Sequence, residues 1–330
     1  MRTYSAAFFS ILLLAGLVFT GLLVGPLAIA PGEVATALWH GLTGTPAPGD
    51  AVILQLRLPR VLAAVIVGAA LAGSGAAFQQ LFRNPLVSPD ILGVSTGAAL
   101  GAALALVAGA GGGSVEAAAF AGGLGAVALV CAIAGAVRSH DRVLVLVLTG
   151  VVVGALLGAG IALLKLLADP YRDLPALTFW LLGSLAGAEP RSVGIAAVAA
   201  ATGLAALWSV RGRLDVLALG DDEARALGVN VRAIRAVAIT GATLATAATV
   251  SLAGVIGWVG LLVPHAARGL AGPHFARLLP VAALLGAGFL LAVDTVARAV
   301  TDTEVPLGVL TAVLGAPLFL WLLARGRGTA

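Results

Sequence analysis

Ten apolar stretches, most of them close to twenty residues long, leave little room for anything else in this chain. They lie at about residues 6–25, 60–81, 92–109, 117–137, 143–167, 192–209, 232–252, 255–267, 279–299 and 306–324. A helix of about 20 apolar residues crosses the hydrocarbon core of a bilayer. Runs of that length, in a chain whose charged residues are only 10% of 330, specify an all-α, polytopic membrane protein. The 44 glycines point the same way. In lipid, small residues let helix backbones approach closely. The stretches at 92–109 and 255–267 are short and flanked by glycine and proline, as expected of helices that stop inside protein.

The net charge of +4 does not make the chain a nucleic-acid binder, because its basic residues sit between apolar runs and form no basic arm. A positive-inside membrane protein explains them better. With the N-terminus in the cytoplasm and the spans alternating, the inner side receives Arg2, Arg83, Arg138, Arg142, Arg211, Arg213, Arg225, Arg232, Arg235, Arg268, Arg277, Arg325 and Arg327, which is 13 of the 19 Lys+Arg. Both termini then lie inside. Arg57, Arg60, Lys165, Arg172, Arg191 and Arg298 remain outside, and Lys165 sits close enough to its span end to snorkel to water. Arg2 and Ala28-Ile29-Ala30 imitate a cleaved signal peptide, but the apolar run between them exceeds a usual signal core. Retention as a first membrane helix is expected. The lone Cys131 reads as a small packing residue.

Two segments stand apart from the alternation. Residues 170–190 mix aromatics, prolines and charge, and read as an interfacial or re-entrant segment outside, with Trp180 as an interface anchor. Residues 211–230 are the most polar stretch. Leu214, Leu217, Leu219, Ala224, Leu227 and Val229 are spaced like short amphipathic helices broken at Gly220, with Asp221 or Asp222 capping the second. A weak echo links Arg57-x-x-Arg60 and GAALAGSGAA (68–77) with Arg232-x-x-Arg235 and GATLATAATV (241–250). The copies run in opposite directions, as in an inverted repeat of two halves, 6–167 and 192–324, within one transmembrane domain.

Residues 57–101 carry the most information. Pro59 suits a helix start, and Asn84-Pro85 with Pro89 forces a break before Gly93-Val94-Ser95-Thr96-Gly97. No catalytic constellation, no metal-spaced cluster and no phosphate-cradling G-x-x-x-x-G-K-[ST] loop appears, so the chain is expected not to be an enzyme and to bind no cofactor itself. His265 and His274 are not assigned to a metal.

The chain resembles the FecCD-type permeases of ATP-binding-cassette importers for iron–siderophores, haem and cobalamin. The matching pieces are R-x-P-R (57–60), G-A-A-L-A-x-S-G (68–75), Gln79, N-P-L-x-x-P (84–89), L-G-V-S-x-G-A (92–98), L-G-x-x-x-A-x-x-L-G (219–228), G-x-x-G-L-x-V-P-H (257–265), Arg268, D-x-x-A-R (294–298), E-x-P-x-G (304–308) and L-G-A-P-x-F (314–319). The resemblance implies a ten-helix subunit in the bacterial cytoplasmic membrane. It pairs with a second permease copy, identical or paralogous. Two ATPase subunits that use ATP and Mg, and an extracytoplasmic solute-binding protein, complete the assembly. It also implies that Leu217, Leu219, Gly220, Asp221, Asp222, Glu223, Ala224, Arg225, Leu227 and Gly228 form coupling helices against the ATPase. Arg57, Arg60 and Arg298 would meet acidic residues of the binding protein. Lipid anchoring is the alternative for the first two, and an i,i+4 pair with Asp294 is the alternative for the third. Val143 and Leu144, with Gln79, Asn84 and Ser95, are expected at the gate and pathway. The substrate would be ferric siderophore or a related chelate, moved by alternating access. The rival reading is an ion-gradient-driven transporter, which needs buried acids in its spans; Asp294 is the main one present.

Overall fold

The computed structural model describes residues 2–326 except 26, 28, 46, 140 and 301–303. Arg327 and Ala28, used above in the charge count and the signal-like motif, lie outside the described residues. Within them the chain is helical and has no strand. The helices are α1 (Arg2–Leu23), α2 (Pro31–Thr43), α3 (Leu58–Leu81), α4 (Val94–Val107), α5 (Gly113–Ala136), α6 (Arg142–Leu167), α7 (Asp173–Leu182), α8 (Pro190–Ser209), α9 (Arg211–Leu217), α10 (Asp221–Ala226), α11 (Val231–Ala253), α12 (Val259–Ala271), α13 (Phe275–Val300) and α14 (Leu307–Gly326). A 3₁₀ turn at Pro48–Asp50 and a π-helical stretch at Val52–Arg57 lead into α3.

Each of the ten apolar stretches coincides with one of these helices: α1, α3, α4, α5, α6, α8, α11, α12, α13 and α14. Among the described residues, six helical stretches are long and apolar enough to cross a membrane unaided, those of α3, α5, α6, α8, α11 and α13. α4 and α12 have 14 and 13 residues, about 20 Å at 1.5 Å per residue, short of a hydrocarbon core of about 30 Å. Both are sheltered: α4 packs on α5 and α6, and α12 on α3 and α13.

The centre of the bundle is α3, whose apolar window is 78% buried, with α11 and α13 around it; the corresponding window of α6 is 17% buried. Glycine sets these approaches. A Cβ on Gly75 of α3 would overlap the carbonyl of Gly260 in α12. Gly68 and Gly286 abut the same way between α3 and α13, and Gly203 meets Gly241 between α8 and α11. Such contacts exchange side-chain bulk for backbone proximity, the main source of helix attraction in lipid. The two echo segments pack against each other at this centre, where the Ser74 hydroxyl donates to the Ala242 carbonyl at 3.1 Å. Cys131 is half-buried against the core, as expected of a packing residue.

Two helices revise the sequence reading. α2 was not expected, although Pro31 at its first turn, Glu33 accepting the Ala30 N–H at 3.1 Å and left-handed Gly44 after its end are ordinary start and stop signals. α7 accounts for part of the 170–190 segment. Its Trp180 packs against the apolar cluster of Ala98, Ala102, Val115, Ala119 and Val250. This residue therefore makes a tertiary contact.

Candidate functional site

The most polar stretch folds as the elbow α9–α10 at one end of the bundle. Leu214 and Leu217 are buried beneath it, as is Ala224. Asp215 pins α9 by accepting from the Phe275 backbone N–H at 2.7 Å and from Gln80 Nε2 at 3.2 Å. Asp221 pins α10 by accepting from Arg235 Nη2 at 2.9 and 3.1 Å. Arg225 pairs with Asp222 at 2.6 Å and lies 3.7 Å from Asp221. Against that anchored scaffold, Leu219 and Leu227 are each 64% exposed. The elbow is thus fixed to the bundle through its polar residues and presents leucines outward.

Gly220 makes the break. Its φ of 139° is one that L side chains rarely adopt, and a Cβ there would strike the Glu223 carboxylate. Gly220 is the N-cap of α10, and the caps expected from Asp221 and Asp222 are absent. Both acids instead lie in the first helical turn, where negative charge opposes the helix dipole. Gly228, with φ of 78°, ends the elbow before Asn230 caps α11.

Residues expected at the gate are scattered. Val143 lines a cavity of about 460 Å³ shared with Arg83, Asp141 and the elbow residues Leu219–Glu223 and Arg225. Leu144 is 52% exposed, and Asp141 caps α6 by accepting the Val143 and Leu144 N–H groups at 3.0 and 2.9 Å. Gln79 is 2% exposed, donates to the Leu261 carbonyl at 3.0 Å and accepts from Arg268 Nη1 at 3.1 Å. It is a bolt between α3 and α12. Replacing it by leucine is expected to cost about 1–3 kcal/mol, because the Leu261 carbonyl and Arg268 lose their partner; thermal melting of the detergent-solubilised protein measures this. Ser95 is likewise buried, its hydroxyl committed to Asp90, and Asn84 accepts the Leu86 N–H at 2.9 Å to hold the turn after α3.

The opposite end holds the three arginines expected to dock the binding protein. Arg57 is 6% exposed and donates to the carbonyls of Leu22 (2.7 Å), Leu23 (2.8 Å) and Leu27, closing the C-terminal end of α1. A guanidinium so placed is not a free docking charge. Asp294 is fully buried and accepts from Arg60 Nε and Nη2 at 2.9 and 2.8 Å and from Arg298 Nε at 3.0 Å. Arg60 also reaches Glu304 at 2.6 Å, and Glu304 accepts from Ser184 at 3.0 Å. Arg298 continues to the Val24 and Gly21 carbonyls at 2.8 and 3.2 Å. The i,i+4 pair of Arg298 with Asp294 is therefore present, inside a staple joining α1, α3, α13 and the segments before α8 and α14. Sequence reasoning missed its long arm, Arg60 to Asp294, because the partners are 234 residues apart.

Among the described residues no group of three or more His, Cys, Asp or Glu could hold a metal ion. Asp294, the main acid inside a span that the ion-driven reading could use, is paired with two guanidiniums.

The sequence profile of the FecCD transport family matches residues 12–325. An iron chelatin transport system permease protein of Helicobacter pylori is 41% identical over 84% of this chain and 83% of its own length. The cobalamin import system permease protein BtuC of Halobacterium salinarum is 43% identical over 85% of this chain and 75% of its own. A solved structure of a metal-chelate type ABC transporter in an inward-facing conformation superposes with a TM-score of 0.87, at 36% identity, over 97% of this chain and 98% of that one.

Proposed function

The chain belongs to the FecCD transport family, and from that premise we propose that it moves a metal chelate across the bacterial cytoplasmic membrane by alternating access. It is a multi-pass permease subunit of an ATP-binding-cassette importer. ATP is hydrolysed by two partner ATPase subunits with Mg, and a second permease copy, identical or paralogous, completes the pathway. An extracytoplasmic binding protein delivers the chelate. Both termini and the α9–α10 elbow face the cytoplasm, and the two halves of the chain form an inverted repeat. Ferric siderophore is the first choice of cargo, supported by the iron-chelate relative, with haem and cobalamin behind it.

One observation carries the reading. The elbow is anchored by Asp215 and Asp221 while Leu219 and Leu227 project outward. A rigidly held apolar pair suits transmission of force from a docked motor, because exposed leucines gain from burial in a partner's groove. Val143 and Leu144, at the start of α6 beside the elbow, are the gate residues we retain. At the other end, three guanidiniums face two carboxylates, leaving one positive charge in excess. Docking there would use Arg60, where an acid of the binding protein competes with Glu304, while Arg57 and Arg298 hold the rim in shape.

The test is ferric hydroxamate uptake by proteoliposomes containing the permease, its ATPase and its binding protein. Uptake should require ATP inside the ATPase compartment, and uptake driven by an ion gradient alone would overturn the proposal. The double variant L219D/L227D should lower ATP-dependent uptake at least about tenfold. Its melting temperature should barely move, because exposed substitutions away from packed features usually change stability by under about 0.5 kcal/mol. Undiminished uptake would remove the elbow from the coupling route.

A further inference from the structure

Beside the elbow, a cavity of about 430 Å³ is lined by Arg142 of α6, Arg225 of α10, and Arg232 and Arg235 of α11, together with Val229, Asn230 and Val231. Its charge is unbalanced. Asp221 and Asp222 answer Arg225 and Arg235, at 2.6 Å from Arg225 to Asp222 and 2.9 Å from Arg235 to Asp221. Arg142 and Arg232 have no ion pair among the described residues. Arg235 also keeps a buried Nε–H with no acceptor. Buried polar groups are rarely left unmet, so an orphan donor on a residue that lines a cationic cavity is consistent with a missing acceptor nearby. Basic residues at this end need no special cause, since loops on the inner side collect them. That rule does not make four of them converge on one cavity, which mutual repulsion opposes.

We propose that this cavity is a phosphate-binding site. Two uncompensated guanidiniums match the one to two negative charges of a phosphodiester or phosphate monoester, and planar guanidinium forks suit phosphate oxygens. The volume exceeds that of a bare ion and accommodates a substituted phosphate. Arg142 opens the first turn of α6, and Arg232 and Arg235 lie in the first two turns of α11, at the end of the spans. Lipid head groups lie at that level, and basic pockets between membrane helices on the inner side take anionic ones. A soluble phosphate ester presents the same chemistry. Either occupant would bridge α6 and α11 to α10, whose Arg225 and Asp221 hold the elbow. The binding claim does not depend on the transport reading, and its test measures no transport.

The experiment uses the purified full-length permease, delipidated in neutral detergent. Native mass spectrometry reads retention of phosphatidylglycerol against phosphatidylcholine, and calorimetry reads inorganic pyrophosphate. R142Q/R232Q removes the two unpaired charges, which should weaken binding about thirtyfold at roughly 1 kcal/mol per arginine. R142K/R232K should keep most of the affinity, and R277Q, at the same end outside the cavity, should keep all of it. If the double variant melts early, R232Q alone should still show about a fivefold loss. Loss of phosphatidylglycerol in the glutamine variants identifies a lipid occupant. Loss confined to pyrophosphate identifies a soluble one. Equal binding of both probes by wild type and R142Q/R232Q would overturn the proposal.

Discussion

Replacing Asp294 with leucine is expected to destabilise the permease by about 3–5 kcal/mol, the usual consequence of breaking a buried ion pair from one side. Asp294 has no exposed surface and is the shared acceptor of Arg60 and Arg298. Without it, among the described residues, Arg298 retains the Val24 and Gly21 carbonyls, and Arg60 retains Glu304. The exposed Arg225–Asp222 pair sets the contrast, since water screens it and surface pairs contribute about 0–1 kcal/mol. Thermal melting in detergent should therefore fall steeply for D294L and hardly at all for D222N. The double variant D294L/R298M should recover part of the loss, because removing both charges leaves fewer unpaired groups than removing one. A double variant no better than the sum of its singles would mean that Asp294 and Arg298 are not energetically coupled.

The second large effect is steric. Gly75→Val should prevent α3 and α12 from closing, because even a Cβ at residue 75 overlaps the Gly260 carbonyl. Overpacking a core with mobile side chains costs about 1–3 kcal/mol, and here the obstacle is backbone, which yields less. We expect loss of monodisperse protein in detergent. Gly16→Val, on α1 with nothing near its Cβ position, should be tolerated. Wild-type melting of G75V would show that the two helices approach less closely than described. The same test applied to Gly68, which abuts Gly286, should behave like Gly75.

What could be read in advance follows the range of each interaction. The helices were legible because an apolar run of span length leaves the backbone no option in lipid but to bond within itself. The break at Gly220 was legible because two short amphipathic patterns flank a residue suited to left-handed or extended backbone. α2 is marked by Pro31, Glu33 and Gly44, but its 13 residues, with Glu33 and His40 among them, do not make an apolar run of span length. Gln79 and Ser95 were placed near the pathway, and the structure spends both on internal hydrogen bonds. Nothing in their neighbouring sequence distinguishes a polar group facing a channel from one bolting two helices.

The sequence by itself determined that the chain is a bundle of membrane helices with one polar elbow, since hydropathy and glycine placement act over a few turns. Only the tertiary structure decided what the charges do. Arg57, Arg60 and Arg298 read as outward-facing cations until folding brings Leu22, Asp294 and Glu304 to them. Arg142 and Arg232, 90 positions apart and unremarkable in the sequence, become neighbours only around a shared cavity. The physical reason is that a guanidinium's role depends on which acceptors lie within about 3 Å, and in a helical bundle those acceptors come from distant parts of the chain.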